Sequence, residues 1–189
     1  MPIIQVNNIF TPEELEIITN TIFAGRHEID SNLGRRHFRS SVLKNMTDEM
    51  IEKLYTIAKQ ASDLPLAMTN TQVTEYSIEY GEPNLPPHFD GDTNDLIINM
   101  QLESNTSWDL GLNTETYAIE DNSAVVFNGN TEVHWRPHKE FKEGEYVRMM
   151  FVRFYNKEKP SDYSYLPNNQ TDDIFKSALE QGIGLFNNF

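Results

Sequence analysis

The sequence predicts an α+β fold: two helices, then six or more short strands forming a barrel or sandwich that carries the core. Three observations predict it. Apolar residues recur at helical spacing in two windows before residue 62. From residue 71 the apolar period changes from helical to strand-like. Clusters of Gly, Asn and Asp then punctuate the chain at short intervals.

The elements follow in order. Residues 3–6 (Ile3, Ile4, Gln5, Val6) read as a short strand. Thr11 can cap a helix, Pro12 suits its first position, and Glu14 completes a capping box. Leu15, Ile18 and Ile22 share one face, and Gly25 ends the helix. Residues 30–44 read as a loop or an irregular edge holding the densest basic cluster: Arg35, Arg36, His37 and Arg39. A second helix starts near Thr47. Its apolar face is Met50, Leu54, Ile57, Ala58 and Ala61. Strands are expected over residues 71–80, 95–103, 108–112, 116–119, 123–127 and 145–155. A last helix is expected from Thr171, through Ile174, Phe175, Ala178 and Leu179. The expected organisation is a single domain over residues 1–189. Residues 1–70 form a helical N-terminal support, 71–156 the strand core and 157–189 a C-terminal extension.

Composition narrows the function. With 15 Lys+Arg against 29 Asp+Glu the net charge is −14, so no nucleic-acid partner is expected. The chain has no Cys, which removes thiolate zinc sites, iron–sulfur clusters and Cys nucleophiles. No basic residue precedes Arg26 and no apolar run reaches membrane-spanning length. No leader and no membrane contact are expected, and a cytoplasmic location is.

Three features can carry chemistry. His88 and Asp90, two apart in an extended segment, point to one side and can share a metal. The same pair also fits a surface turn shaped by Asp90-Gly91. His134 closely follows a strand and the turn Asn128-Gly129-Asn130. It can complete a two-His, one-carboxylate set, with His138 as competitor. Arg148 shares a strand face with Met150, Val152 and Phe154, while Arg153 lies on the other face. A guanidinium on so apolar a face needs a carboxylate, either from a ligand or from the protein itself.

In this order the features resemble the Fe(II)/2-oxoglutarate-dependent dioxygenases, in their prolyl-4-hydroxylase-like branch. The likeness runs from Ile3 to Tyr155. It includes residues 6–14, Arg39-Ser40-Ser41, Tyr80-Gly81 through His88-Phe89-Asp90, residues 119–127 before His134, and Gly144 to Phe154. The resemblance implies a double-stranded β-helix (jelly roll) with helices packed on it. It implies His88, Asp90 and His134 as Fe(II) ligands and Arg148 as the anchor of the distal carboxylate of 2-oxoglutarate. Tyr80 would donate to the co-substrate, with Tyr76 in reserve. O₂ would be the second co-substrate. The implied reaction is hydroxylation of an unactivated C–H bond, with release of succinate and CO₂. The substrate would be a prolyl or other residue of a peptide or protein, or a small molecule. A non-catalytic metal- or ligand-binding module is the alternative.

The sequence also departs from the pattern. Met150 stands where a hydroxyl residue often follows the Arg, and Leu85 where Tyr often precedes the first His. The separation between His134 and Arg148 is long. The basic loop is a candidate wall of the substrate cleft, suited to an acidic group.

Overall fold

The computed structural model describes residues 1–23, 25–38, 45–90 and 94–158. The helix expected from Thr171, and Arg39 of the basic cluster, lie outside the described residues. Among the described residues, no helix is long and apolar enough to cross a membrane.

The chain opens with β1 (Ile4–Val6) and α1 (Pro12–Phe23). The capping box at Thr11 forms as expected. The Thr11 amide donates to Glu14 Oε2 (2.7 Å) and the Glu14 amide to Thr11 Oγ1 (3.3 Å). α2 (Asp48–Ala61) starts on Thr47, whose Oγ1 accepts from the Met50 amide. Lys53 of α2 bridges to Glu14 of α1 (2.6 Å) and ties the helices together.

Between the helices lies a correction. Of the segment read as a loop or an irregular edge, residues 30–38 belong to a regular edge hairpin of β2 (His27–Asp30) and β3 (Arg35–Phe38), joined by a 3₁₀ turn at Ser31–Leu33, and 39–44 lie outside the described residues. A strand this short and this rich in Arg and His carries no apolar alternation to betray it. Gly34, at φ 55°, closes the turn. A Cβ there would strike the backbone of Glu82 and Pro83, so only Gly lets the hairpin approach that segment.

The strands that follow are β4 (Leu66–Ser77), β5 (Leu85–His88), β6 (Leu96–Ser104) and β7 (Leu110–Leu112). They continue as β8 (Glu115–Tyr117), β9 (Ser123–Phe127), β10 (His134–Arg136) and β11 (Tyr146–Asn156). All pair antiparallel in two sheets. The larger has the order β1-β9-β6-β11-β4-β3-β2, the smaller β5-β10-β7-β8. This is a double-stranded β-helix, with the larger sheet extended at one edge by the β2–β3 hairpin.

The larger sheet is buried on both faces. One face carries Met150, Val152, Phe154, Ile98 and Val73, and joins Ile18, Ile22, Met50 and Leu54 of the helices in one core. The other turns into the barrel, where Val147, Met149, Val125 and Phe127 share a second core with Leu110 and Leu112 of the smaller sheet. Ile22 and Leu54 are fully buried, each contributing about 1.5–3 kcal/mol by removal from water. Because β11 is the middle strand of this sheet, its two faces are almost equally apolar.

Candidate active site

The smaller sheet builds the centre of the site. His88 ends β5 and His134 begins β10, and the two are direct cross-strand partners. Their side chains therefore share a face, with ring centroids 4.1 Å apart. Past His88 the chain turns. The Asp90 amide donates to the Gly129 carbonyl in the β9–β10 connection (2.9 Å), which holds Asp90 against His134. Asp90 Oδ1 lies 3.8 Å from His88 Nε2, and Oδ2 lies 3.7 Å from His134 Nε2.

The three candidate ligand atoms lie within 4.8 Å of one another, and they form the one such group of three among the described residues. Each imidazole is fixed by its other nitrogen. His88 Nδ1 donates to the Pro86 carbonyl (2.7 Å) and His134 Nδ1 to the Glu132 carbonyl (3.1 Å). Both Nε2 lone pairs then aim at the common centre, the usual arrangement for metal-binding histidines. Burial, helped by the neighbouring His134, pushes His88 down to about 4, so its Nε2 is unprotonated at neutral pH. Burial pushes Asp90 upward, but the adjoining His134 and His88 rings outweigh it and hold Asp90 below the usual carboxylate range. Two imidazoles and a carboxylate are the donor set of a facial triad. His138 is outside it: its ring is half exposed and faces Glu82 at 3.8 Å.

The triad lines a cavity of about 270 Å³ that also meets Tyr76, Asn99 and Arg153. Arg148 does not line it. Its strand face packs towards the helices, and its guanidinium is consumed by Glu75 and Glu103 (Nε donates to Glu75 Oε2 at 2.9 Å). Tyr80 joins the same network, donating to Glu75 Oε1 at 2.6 Å. That contact, with burial as the larger cause, raises its phenol well above the usual range. Arg36 closes the cluster on Glu75 at 2.6 Å. In this structure Arg148 and Tyr80, expected at the co-substrate, are turned to Glu75 and away from the triad's cavity. With both faces of β11 apolar, alternation separates Arg148 from Arg153 but cannot say which of them looks inward.

Sequence reading missed a second arginine. Arg136 lies two residues beyond His134 on β10, on the same face, and is 2% exposed. It donates to the Trp108 carbonyl and to Met149 Sδ (3.3 Å), and stacks on the Trp108 ring at 5.0 Å. Among the described residues no carboxylate lies within ion-pair distance of it. Burial alone pushes it down to about 10. Beside it, Tyr76 meets Trp108 edge to face (5.0 Å), and its buried hydroxyl has no hydrogen-bond partner among the described residues. The signal was available: the same two-residue rule that links His88 to Asp90 places Arg136 beside His134.

The sequence matches no protein-family model and no curated protein. Solved structures do match. A Trichoplax adhaerens prolyl hydroxylase in complex with a hypoxia-inducible-factor peptide superposes with a TM-score of 0.60. It is 14% identical, over 87% of this chain and 87% of its own. HygX from Streptomyces hygroscopicus, with nickel and 2-oxoglutarate bound, gives 0.61 at 10% identity, over 82% of this chain and 83% of its own. The α-ketoglutarate-dependent epimerase SnoN of nogalamycin biosynthesis gives 0.64 at 11% identity, over 88% and 85%. The fold of this chain is that of the 2-oxoglutarate/Fe(II) oxygenases, as its sequence resemblance implies.

Proposed function

We propose that the protein is an Fe(II)- and 2-oxoglutarate-dependent oxygenase that hydroxylates an unactivated C–H bond. One observation carries this reading: two histidines, each pinned through Nδ1, and one ionised aspartate converge inside the barrel of an oxygenase fold. His88, Asp90 and His134 would hold the metal, leaving its opposite face open. When bound, the iron supplies one-electron redox chemistry: one atom of O₂ enters the substrate C–H bond and the other enters succinate as 2-oxoglutarate loses CO₂.

The chain's own residues would position the co-substrate. Tyr76, which lines the cavity, and Arg136, buried directly behind that lining, are our candidates for its distal carboxylate. A buried guanidinium whose hydrogen-bond partners among the described residues are a carbonyl and a thioether is an incompletely compensated charge. A carboxylate that displaces the weak thioether acceptor gives it a charge-assisted pair, and also gives the orphaned Tyr76 hydroxyl an acceptor. The apolar barrel wall of Leu85, Ile97 and Phe127 would keep water from the reacting atoms.

The test is succinate formation from 2-oxoglutarate in the presence of Fe(II), O₂ and a panel of amino acids and peptides, with products read for +16 Da. Iron-dependent succinate formation that disappears in His88→Ala is expected. Failure of the purified protein to bind Fe(II) and 2-oxoglutarate together would overturn the reading.

A further inference from the structure

Sheet alternation sorts the basic cluster into two jobs. Arg36 and Phe38 face the helices, where Arg36 is spent on Glu75. Arg35 and His37 face the barrel and line the same cavity as the triad. Their cross-strand partners on β4 are Tyr76 and Thr74, and β11 adds Phe151 and Arg153 on the far side of β4. Three adjacent strands therefore present one continuous polar wall.

That wall is organised by hydrogen bonds. Arg153 NH1 donates to Gln72 Oε1 (3.2 Å). The Gln72 amide nitrogen meets His37 Nδ1 (2.7 Å), and His37 Nδ1 meets Thr74 Oγ1 (2.8 Å). Arg35 is held from behind by Asp30, Nε and NH2 meeting Oδ2 at 3.1 and 3.0 Å. Among the described residues lining the cavity there are two guanidiniums and one carboxylate, and that carboxylate is Asp90 of the triad. A chain of net charge −14 thus keeps a cationic wall in the cavity of the triad. A second observation is independent of charge. Asn99 of β6 lines the cavity, and its Oδ1 is buried without a hydrogen-bond partner among the described residues. A buried amide oxygen without a donor carries a desolvation cost that an N–H group of a ligand removes.

We propose that the substrate is an amino-acid unit that keeps its own carboxylate, either free or at the C-terminus of a peptide, with Arg153 receiving the carboxylate and Asn99 accepting from the substrate N–H. The inference rests on the oxygenase reading and names its substrate class. Arg35, with Asp30 behind it, adds positive charge to the same wall. The cavity, at about 270 Å³, has to hold the co-substrate as well as the reacting group, which favours a small unit over a long folded segment.

The experiment pairs each free L-amino acid, and each tripeptide with a free C-terminus, with its C-terminal amide. Fe(II), 2-oxoglutarate and O₂ are common to all, and the products are read for +16 Da. Turnover confined to free carboxylates is expected. The amino-acid and tripeptide arms separate the two sources of that carboxylate. Arg153→Gln should raise the KM of the carboxylate substrate at least about tenfold, roughly the least that losing a charge-assisted contact costs. Its KM for 2-oxoglutarate should stay near that of the parent, and Arg153→Lys should recover part of the loss. Amides turned over as well as acids would overturn the proposal. So would a panel in which no free carboxylate is hydroxylated while succinate still forms. Absence of succinate formation in the parent protein would instead remove the oxygenase reading beneath it.

Discussion

Replacing Arg136 by Met tests the co-substrate site from both sides of its energy balance. In the free protein the guanidinium is buried, with a carbonyl and a thioether as its hydrogen-bond partners. Met fills similar volume without the charge. Exchanging a poorly compensated buried ion for an apolar side chain is often neutral or stabilising by about 1–4 kcal/mol. The melting temperature should hold or rise. The affinity for 2-oxoglutarate should move the other way. Deleting one partner of a buried charge pair costs about 2–5 kcal/mol, and each 1.4 kcal/mol is tenfold. The dissociation constant should therefore rise about 30-fold at the least and about 3,000-fold at the most. Titration calorimetry of 2-oxoglutarate into the Mn(II)-loaded protein under argon measures it, with Mn(II) affinity as the internal control. Arg136→Lys should fall between, since it keeps the charge and loses the planar fork. Unchanged 2-oxoglutarate affinity in Arg136→Met would refute the reasoning. If Arg153→Met lost that affinity instead, Arg153 would be the co-substrate anchor and its assignment to the substrate would fall too.

Arg148→Met should leave 2-oxoglutarate affinity unchanged and destabilise the fold, because Glu75 stays buried with Arg36 as its remaining charged partner. The loss expected in urea unfolding is about 3 kcal/mol, the lower end for a broken buried pair. His134→Ala should abolish Mn(II) binding, whereas His138→Ala, whose ring is half exposed beside Glu82, should keep it; calorimetry separates them. The low value of His88 keeps protons from competing for its Nε2. A histidine of ordinary value, 6.5, would already compete with protons for the metal at pH 6, but one near 4 does not. Titration of the metal-free protein followed by NMR should show the His88 ring still neutral at pH 5, and a His88 midpoint at 6.5 would show that it is not depressed.

The helices were legible because their signals are local: Thr11 with Glu14, and Thr47 with the apolar face from Met50 to Ala61, each stand within a few turns. The triad was legible for a related reason. His88 and Asp90 are two apart, and His134 sits where a strand-turn can aim it. The arginines were not, because their roles depend on which side of a sheet becomes the inside. Met149 and Met150 are equally good core residues, so nothing on β11 itself marks the barrel face. That is decided by Glu75 of β4 and by helices α1 and α2, far off in the chain. β3 was missed for the opposite reason. Its neighbours at positions 35–38 alternate in function, cavity against Glu75, but not in hydropathy.

The place of β11 has a consequence for how the molecule is made. The last described strand occupies the middle of the larger sheet, between β4 and β6. Its links reach back 73 residues, from Arg148 to Glu75, and 81 residues, from Arg153 to Gln72. Until β11 emerges, β4 and β6 each keep an open edge, and the three side chains of the candidate metal site have already been synthesised without a closed barrel around them. Pairings this remote are slow to form and leave strand edges open to neighbours meanwhile. Closure of the sheet and formation of a water-excluding cavity are therefore one late event in the life of the chain, and a stop codon anywhere before Tyr146 would remove both together.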